Sequence, residues 1–318
     1  MSSMTARDTP VLEIIVAHSA GTCFGVEDAI ELAEDKRQPI LGQLVHNPLT
    51  VKRLSDQGIP ILERYSDLDE LEGRGTKEVI ITAHGYPREL KEALAARGIV
   101  YHDATCPVLL KWVYGKILHF EERGYRVILI GNPDHAEIIA SRSYGTDIHV
   151  VYSPEDVAAL PDDPGRTVAV CQTTITREKF EYLVGEIRAT KYPDLKAIDT
   201  RCKPVKNQQR AIERLAEWVD AMVIVGGFNS SNTTNLARIS RIRLPERTYH
   251  IDDADMVEAG WLDGVEHLGI GAGTSTPKSQ IRAVQQRIAE LFPGRIVYRT
   301  EDRRGELQRD DFGEDDEV

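Results

Sequence analysis

Three cysteines stand in matching surroundings: Cys23 closes "AHSAGTC", Cys106 closes "YHDATC" and Cys202 closes "AIDTRC". Each ends an apolar stretch and precedes one with helical spacing, a position where a thiol serves as a spacer, a nucleophile or a metal ligand. Behind each come two more strand-like runs ending in polar loops. The first set carries His46 in "LVHNPLT", His135 and Glu137 in "LIGNPDHAEI", and Ser230, Ser231 and Asn232 in "IVGGFNSSNTT". The second carries His84 in "ITAHGYP", Thr173 in "VCQTTIT" and Ser275 in "GAGTSTP". From the cysteines to His46, His135 and Ser231 the intervals are 23, 29 and 29 residues; to His84, Thr173 and Ser275 they are 61, 67 and 73. One such match is chance; three in the same order imply three related units of about 80 to 100 residues.

Three thiols without a C-x2-C neighbour do not suit a structural zinc, which takes four ligands, often closely paired. One thiol per unit suits an iron–sulfur cluster, and three ligands on a four-iron cluster leave one iron open to substrate. The fourth cysteine, Cys171, lies off the pattern and reads as a buried core residue. Histidines, small hydroxyls and helix N-termini in the polar loops make an oxyanion pocket. Taken singly, the Ser and Asn residues read as helix caps and each His as packing. Glu137, two residues after His135, would be protonated beside an anionic cluster and so suited to proton donation, with Thr173 as a hydrogen-bonding partner.

These loops need strands to hold them. The runs "VLEIIVA", "EVIITA", "RVILIG", "TVAV", "LKAID", "AMVIVGG" and "HLGIGAG" predict strands, and apolar spacing predicts helices near 25–37, 107–122, 177–190, 204–219 and 277–291. That alternation predicts an α/β fold of parallel sheets flanked by helices, with function at the strand C-termini. The expected modules are 11–105 with Cys23, 106–198 with Cys106 and 199–300 with Cys202, arranged about a pseudo-threefold axis, followed by an acidic disordered tail, 301–318.

The 318-residue chain has 51 acidic and 39 basic residues, a net charge of -12, which argues against nucleic-acid and anionic-membrane partners. No apolar run reaches the roughly 18 residues of a membrane span, and the polar start "MSSMTARDTP" is no secretory signal. A cytoplasmic protein with free thiols is expected.

Together "TCFGVEDAI", "LVHNPLTVKRL", "ITAHG", "DATCP", "DHAEIIASRSYG", "CQTTIT", "GGFNSSNTTNLARI" and "GAGTSTP" resemble, in order, the motifs of the 4-hydroxy-3-methylbut-2-enyl diphosphate reductase family, IspH or LytB, over residues 12–292. Phe24, "NSSNTTNL" and "SYG" lean toward its plant and cyanobacterial branch. The resemblance implies a trefoil of three α/β modules around a 4Fe-4S cluster held by Cys23, Cys106 and Cys202. It implies a diphosphate bound by His46, His84, Ser230, Ser231, Asn232 and Ser275, a substrate facing His135, and protons delivered by Glu137 with Thr173. The implied reaction removes an allylic hydroxyl with two electrons from a ferredoxin or flavodoxin, yielding isopentenyl and dimethylallyl diphosphate.

This chain departs from the family pattern at Thr22, Asp28, Arg201, Lys203 and Lys278. Those positions motivate the rival readings: a paralogue acting on another allylic or unsaturated diphosphate, or a non-catalytic iron–sulfur sensor. Retention of Glu137 and Thr173 argues against a sensor, which needs no proton relay. A cluster-free nucleotide-binding protein is disfavoured because no phosphate-cradling glycine motif follows a strand.

Overall fold

The computed structural model describes residues 10–64, 68–163 and 165–309. In chain order the elements are β1 (Val11–Val16), α1 (Phe24–Lys36), β2 (Ile40–Leu41), α2 (Pro48–Asp56), β3 (Ile61–Leu62), α3 (Leu68–Gly73), β4 (Glu78–Ile81), α4 (Arg88–Ala96) and β5 (Val100–Asp103). A π-helical segment, Leu109–Tyr114, then runs into α5 (Gly115–Glu121). Next come β6 (Tyr125–Ile130), α6 (Ala136–Arg142), β7 (Ile148–Val151), α7 (Pro154–Ala158), β8 (Arg166–Cys171), α8 (Arg177–Thr190) and β9 (Lys196–Ala197). The last stretch is α9 (Lys203–Leu215), β10 (Ala221–Val225), α10 (Ser231–Arg241), β11 (Thr248–Ile251), β12 (His267–Ala272), α11 (Lys278–Leu291), β13 (Arg295–Glu301) and β14 (Leu307–Arg309).

Residues 24–202 form one compact unit, and the described residues on either side of them, 10–23 and 203–309, form a second. The 24–202 unit holds two four-stranded parallel sheets, ordered β3-β2-β4-β5 and β7-β6-β8-β9. Their central strands are apolar on both faces, as β8 shows with every residue after Arg166 buried, because helices cover both sides. Gly85, in the loop after β4, has φ +82°, and a Cβ there would lie 2.1 Å from the Tyr114 hydroxyl. Gly85→Ala therefore combines left-handed strain with a clash and should cost about 2–4 kcal/mol in urea unfolding. Tyr114→Phe removes a buried hydroxyl that has no partner, so it should be near neutral and relieve part of the G85A loss. Equal stability of G85A and the parent would contradict this packing.

The other unit holds one sheet ordered β11-β10-β12-β1-β13-β14, parallel except for β14. Strand β1, at the head of the expected 11–105 module, pairs on one side with β12 and on the other with β13. "VLEIIV" is apolar enough to occupy an interior position, where both its edges and its core-facing residues are covered.

Residues 301–309 depart from the expected solvated tail. Glu301 ends β13 with 1% exposure, and Leu307–Arg309 returns antiparallel to it. The turn closes because the Asp302 carboxylate accepts from the amides of Arg304 and Glu306, which satisfies backbone donors that a disordered tail would leave to water. The remainder of the tail, 310–318, lies outside the described residues. No helix among the described residues is long and apolar enough to cross a membrane.

Candidate active site

Every site residue read from the sequence lies in a loop or first helical turn past the C-terminal end of a parallel strand, where amides are free and side chains converge. In the 24–202 unit these are His46 after β2, His84 after β4, Cys106 after β5, His135 and Glu137 after β6, Thr173 after β8 and Cys202 after β9.

The three histidines meet. His46 and His84 stack with ring centroids 3.9 Å apart, and His135 stands edge-on to them at 5.2 and 5.7 Å. His135 caps α6, its Nδ1 accepting from the Glu137 amide at 3.1 Å, so the neutral ring carries its proton on Nε2. Burial, with the Arg64 cation adding to it, pushes His46 down to about 4. Burial, then His46 and Arg64, take His135 to about 3, and burial, then His46, His135 and Arg64, hold His84 well below its ordinary value. His84 Nε2 is buried with no partner, an unmet hydrogen-bonding demand that a ligand can fill.

Glu137 is 3% exposed. Its Oε1 accepts from the Thr173 amide at 2.6 Å and its Oε2 from the Thr173 hydroxyl at 2.7 Å. Burial raises the carboxyl to about 7 even though both Thr173 bonds favour the anion. A carboxyl poised there both holds and releases a proton near neutrality.

The thiols differ as the sequence suggests. Cys106 receives N–H bonds from Val108 and Leu109 at the following helical start; burial outweighs them and lifts its thiol above the ordinary value. Gly25, two residues after Cys23 in the chain, leaves no room for a side chain, because a Cβ would sit 2.5 Å from Cys106 Sγ. The Cys106 loop is braced by Asp103, which accepts from the Thr105 amide at 3.0 Å and pairs with Lys91 at 2.8 Å. Cys202 donates its amide to Thr173 O at 3.2 Å. Cys171, the last residue of β8, is fully buried in the core, its thiol pushed up to about 11 by burial.

In the other unit, β10, β12 and β1 lie side by side, so their following loops do too. Ser230 caps α10, its Oγ accepting from the Thr233 amide at 3.3 Å; Asn232, in the first turn of α10, and Ser275, in the loop after β12, are buried. The Cys23 amide donates to Thr274 O at 3.1 Å. Thus Cys23, Ser230, Ser231, Asn232 and Ser275 share one sheet end.

Among the described residues, no three His, Cys, Asp or Glu side chains are grouped to hold a single metal ion. Thiols in loops past strand ends are the donor type that an iron–sulfur cluster takes. Cys23, Cys106 and Cys202 are in no disulfide and lie partly exposed in loops, while Cys171 is sealed in the core.

Arg64 escaped the sequence reading. Its guanidinium donates to Gly85 O at 3.1 Å and Thr82 Oγ1 at 2.8 Å, bracing the loop that carries His84 and setting a positive charge near the histidines. Nothing in "ILERYSD" marked it, since a lone Arg after a two-residue strand has no periodic signature. Arg64→Gln should raise the KM for an anionic ligand about tenfold in steady-state assays; an unchanged KM would remove Arg64 from the site. Among the departures, Arg201 is paired with Asp199 through Nε at 3.0 Å and Nη2 at 2.9 Å, so its charge beside Cys202 is compensated locally.

The family model for LytB protein matches residues 14–289. The chain belongs to the LytB family. Among the family's 4-hydroxy-3-methylbut-2-enyl diphosphate reductases, that of Aquifex aeolicus is 39% identical over 90% of this chain and 99% of its own length. That of Geobacter sulfurreducens is 36% identical over 88% and 98%. A solved (E)-4-hydroxy-3-methyl-but-2-enyl diphosphate reductase, described as the terminal enzyme of the non-mevalonate pathway, is 37% identical over 88% of this chain and 99% of its own, with TM-score 0.62. The Plasmodium falciparum reductase, at 22% identity, shares the fold with TM-score 0.80 over 92% of each chain. The resemblance carried by the LytB motifs, and the mixed α/β fold it implied, are thereby borne out.

Proposed function

We propose that this LytB protein removes the allylic hydroxyl of 4-hydroxy-3-methylbut-2-enyl diphosphate, consuming two electrons and two protons and releasing water with isopentenyl or dimethylallyl diphosphate. Cys23, Cys106 and Cys202 hold a 4Fe-4S cluster, one from each of the modules 11–105, 106–198 and 199–300. When bound, the cluster supplies single electrons and a Lewis-acidic iron for the leaving oxygen. The observation that carries the reading is Glu137: a buried carboxyl, protonated near neutrality and fixed by Thr173, in the same unit as three uncharged histidines.

The residues divide the work. His46, His84, Ser230, Ser231, Asn232 and Ser275 bind the diphosphate, whose remote binding energy fixes the reacting carbon. His135, uncharged with its proton on Nε2, faces the substrate as a hydrogen-bond donor. Glu137 delivers a proton to the departing hydroxyl, and Thr173 keeps that carboxyl oriented. The electrons come from a ferredoxin or flavodoxin, and cysteines outside any disulfide suit a reducing cytoplasm.

An anaerobic assay with dithionite and viologen on 4-hydroxy-3-methylbut-2-enyl diphosphate, with products read by mass, tests the reading. The two C5 diphosphates should form with oxidation of two electron equivalents each. A brown, iron-loaded protein that leaves this substrate intact but reduces another allylic diphosphate would transfer the assignment to that substrate.

A further inference from the structure

Gln208 is a polar residue in an apolar stripe. On α9 it shares a face with Val205, Ala211, Ile212 and Leu215, and it is 3% exposed. Its amide is fully used. Nε2 donates to Ser19 O at 2.7 Å and Gly21 O at 3.1 Å, and Oε1 accepts from Asn232 Nδ2 at 2.7 Å. Backbone carbonyls only accept, so the orientation of Gln208 is determined rather than free to flip. Asn232 must then present its NH2 to Gln208. Its second Nδ2 hydrogen is then what remains to donate to a phosphate oxygen, while Oδ1, buried and without a partner, can only accept.

The two carbonyls belong to the loop that carries Cys23. That loop has an unusual backbone, with Ser19 at φ +63° and Gly21 at φ +108°, and it is pinned elsewhere by Glu301, which accepts from the His18 amide at 3.0 Å. Ser19 pays a steric penalty that surrounding bonds must offset. Gln208 supplies two of those bonds.

We infer that Gln208 is a positioning residue that fixes which atoms of Asn232 meet the diphosphate and ties that orientation to the backbone of the Cys23 loop. The inference rests on the proposed function, in which Asn232 binds diphosphate and Cys23 holds the cluster. It adds a linkage: ligand on Asn232 stiffens the Cys23 loop, and an ordered Cys23 loop strengthens ligand binding by the same factor.

The test is a double-mutant cycle with Gln208→Met, close in volume but unable to hydrogen-bond, and Asn232→Ala. In the iron-loaded protein, Q208M should raise the substrate KM and the dissociation constant of inorganic pyrophosphate about tenfold, but less than about twofold when Asn232 is already alanine. The change that pyrophosphate induces in the electron paramagnetic resonance of the reduced cluster should shrink in Q208M. Equal effects of Q208M in both backgrounds, or no effect in either, would overturn the inference. Should Q208M lose iron, Gln208→Asn, too short to span both partners, takes its place with the same expected pattern. Pyrophosphate binding scores the relay even if the parent protein fails to turn over the proposed substrate, so the two failures are distinguishable.

Discussion

Glu137→Gln is expected to lower turnover about 10²- to 10⁴-fold, the range for loss of a positioned general acid, while iron content stays at the parental level. Gln keeps the volume and can still accept from Thr173, but it has no proton to give. The parent's kcat should fall as pH rises through about 7, where the buried carboxyl ionises, and the decline should be absent in the variant's residual activity. Stability gives a second readout with a defined sign. Folding raises this carboxyl from 4.5 to about 7, so its contribution is fully present below 4.5 and is lost as pH rises through about 7, by on the order of 3 kcal/mol. E137Q should therefore escape that loss and gain on the parent in unfolding experiments at pH 8. Unchanged turnover would eliminate Glu137 as the proton donor.

The second large effect concerns the thiols. Serine at Cys23, Cys106 or Cys202 should abolish the brown colour and reduce turnover below detection, because an alcohol does not ionise to replace a thiolate on iron. Cys171→Ser should keep both iron and activity, with a stability loss of about 1–3 kcal/mol from placing a hydroxyl in the core around β8. Anaerobic reconstitution with iron and sulfide, read by absorbance and iron analysis, decides it. Iron loss in C171S without unfolding would make Cys171 a ligand and displace one of the other three.

How much of this was legible in the sequence depended on the range of the interactions. Strands such as "AMVIVGG" and "HLGIGAG" were readable because interior parallel strands are continuously apolar, and helices 177–190 and 277–291 because one face repeats every turn. The two-residue strands β2, β3 and β9 were not fully readable, since pairing by neighbouring strands rather than local pattern makes them strands. "LVHNPLT" illustrates this: the run looked strand-like, but β2 ends at Leu41 and His46 sits in the loop beyond it.

The sequence by itself determined the repeated order of thiol and polar loops, and hence the kind of chemistry, because residue type and spacing are local facts. It also separated Cys171 from the other cysteines, as the core burial of Cys171 bears out. Tertiary structure alone decided that the chain's first strand joins its last sheet, that Arg64 reaches the His84 loop, that Glu301 is buried rather than part of a tail, and that Gln208 orients Asn232. Each of these joins residues distant in sequence through a hydrogen bond or a strand pairing. No periodicity records such a bond, because its partners are chosen by the folded geometry.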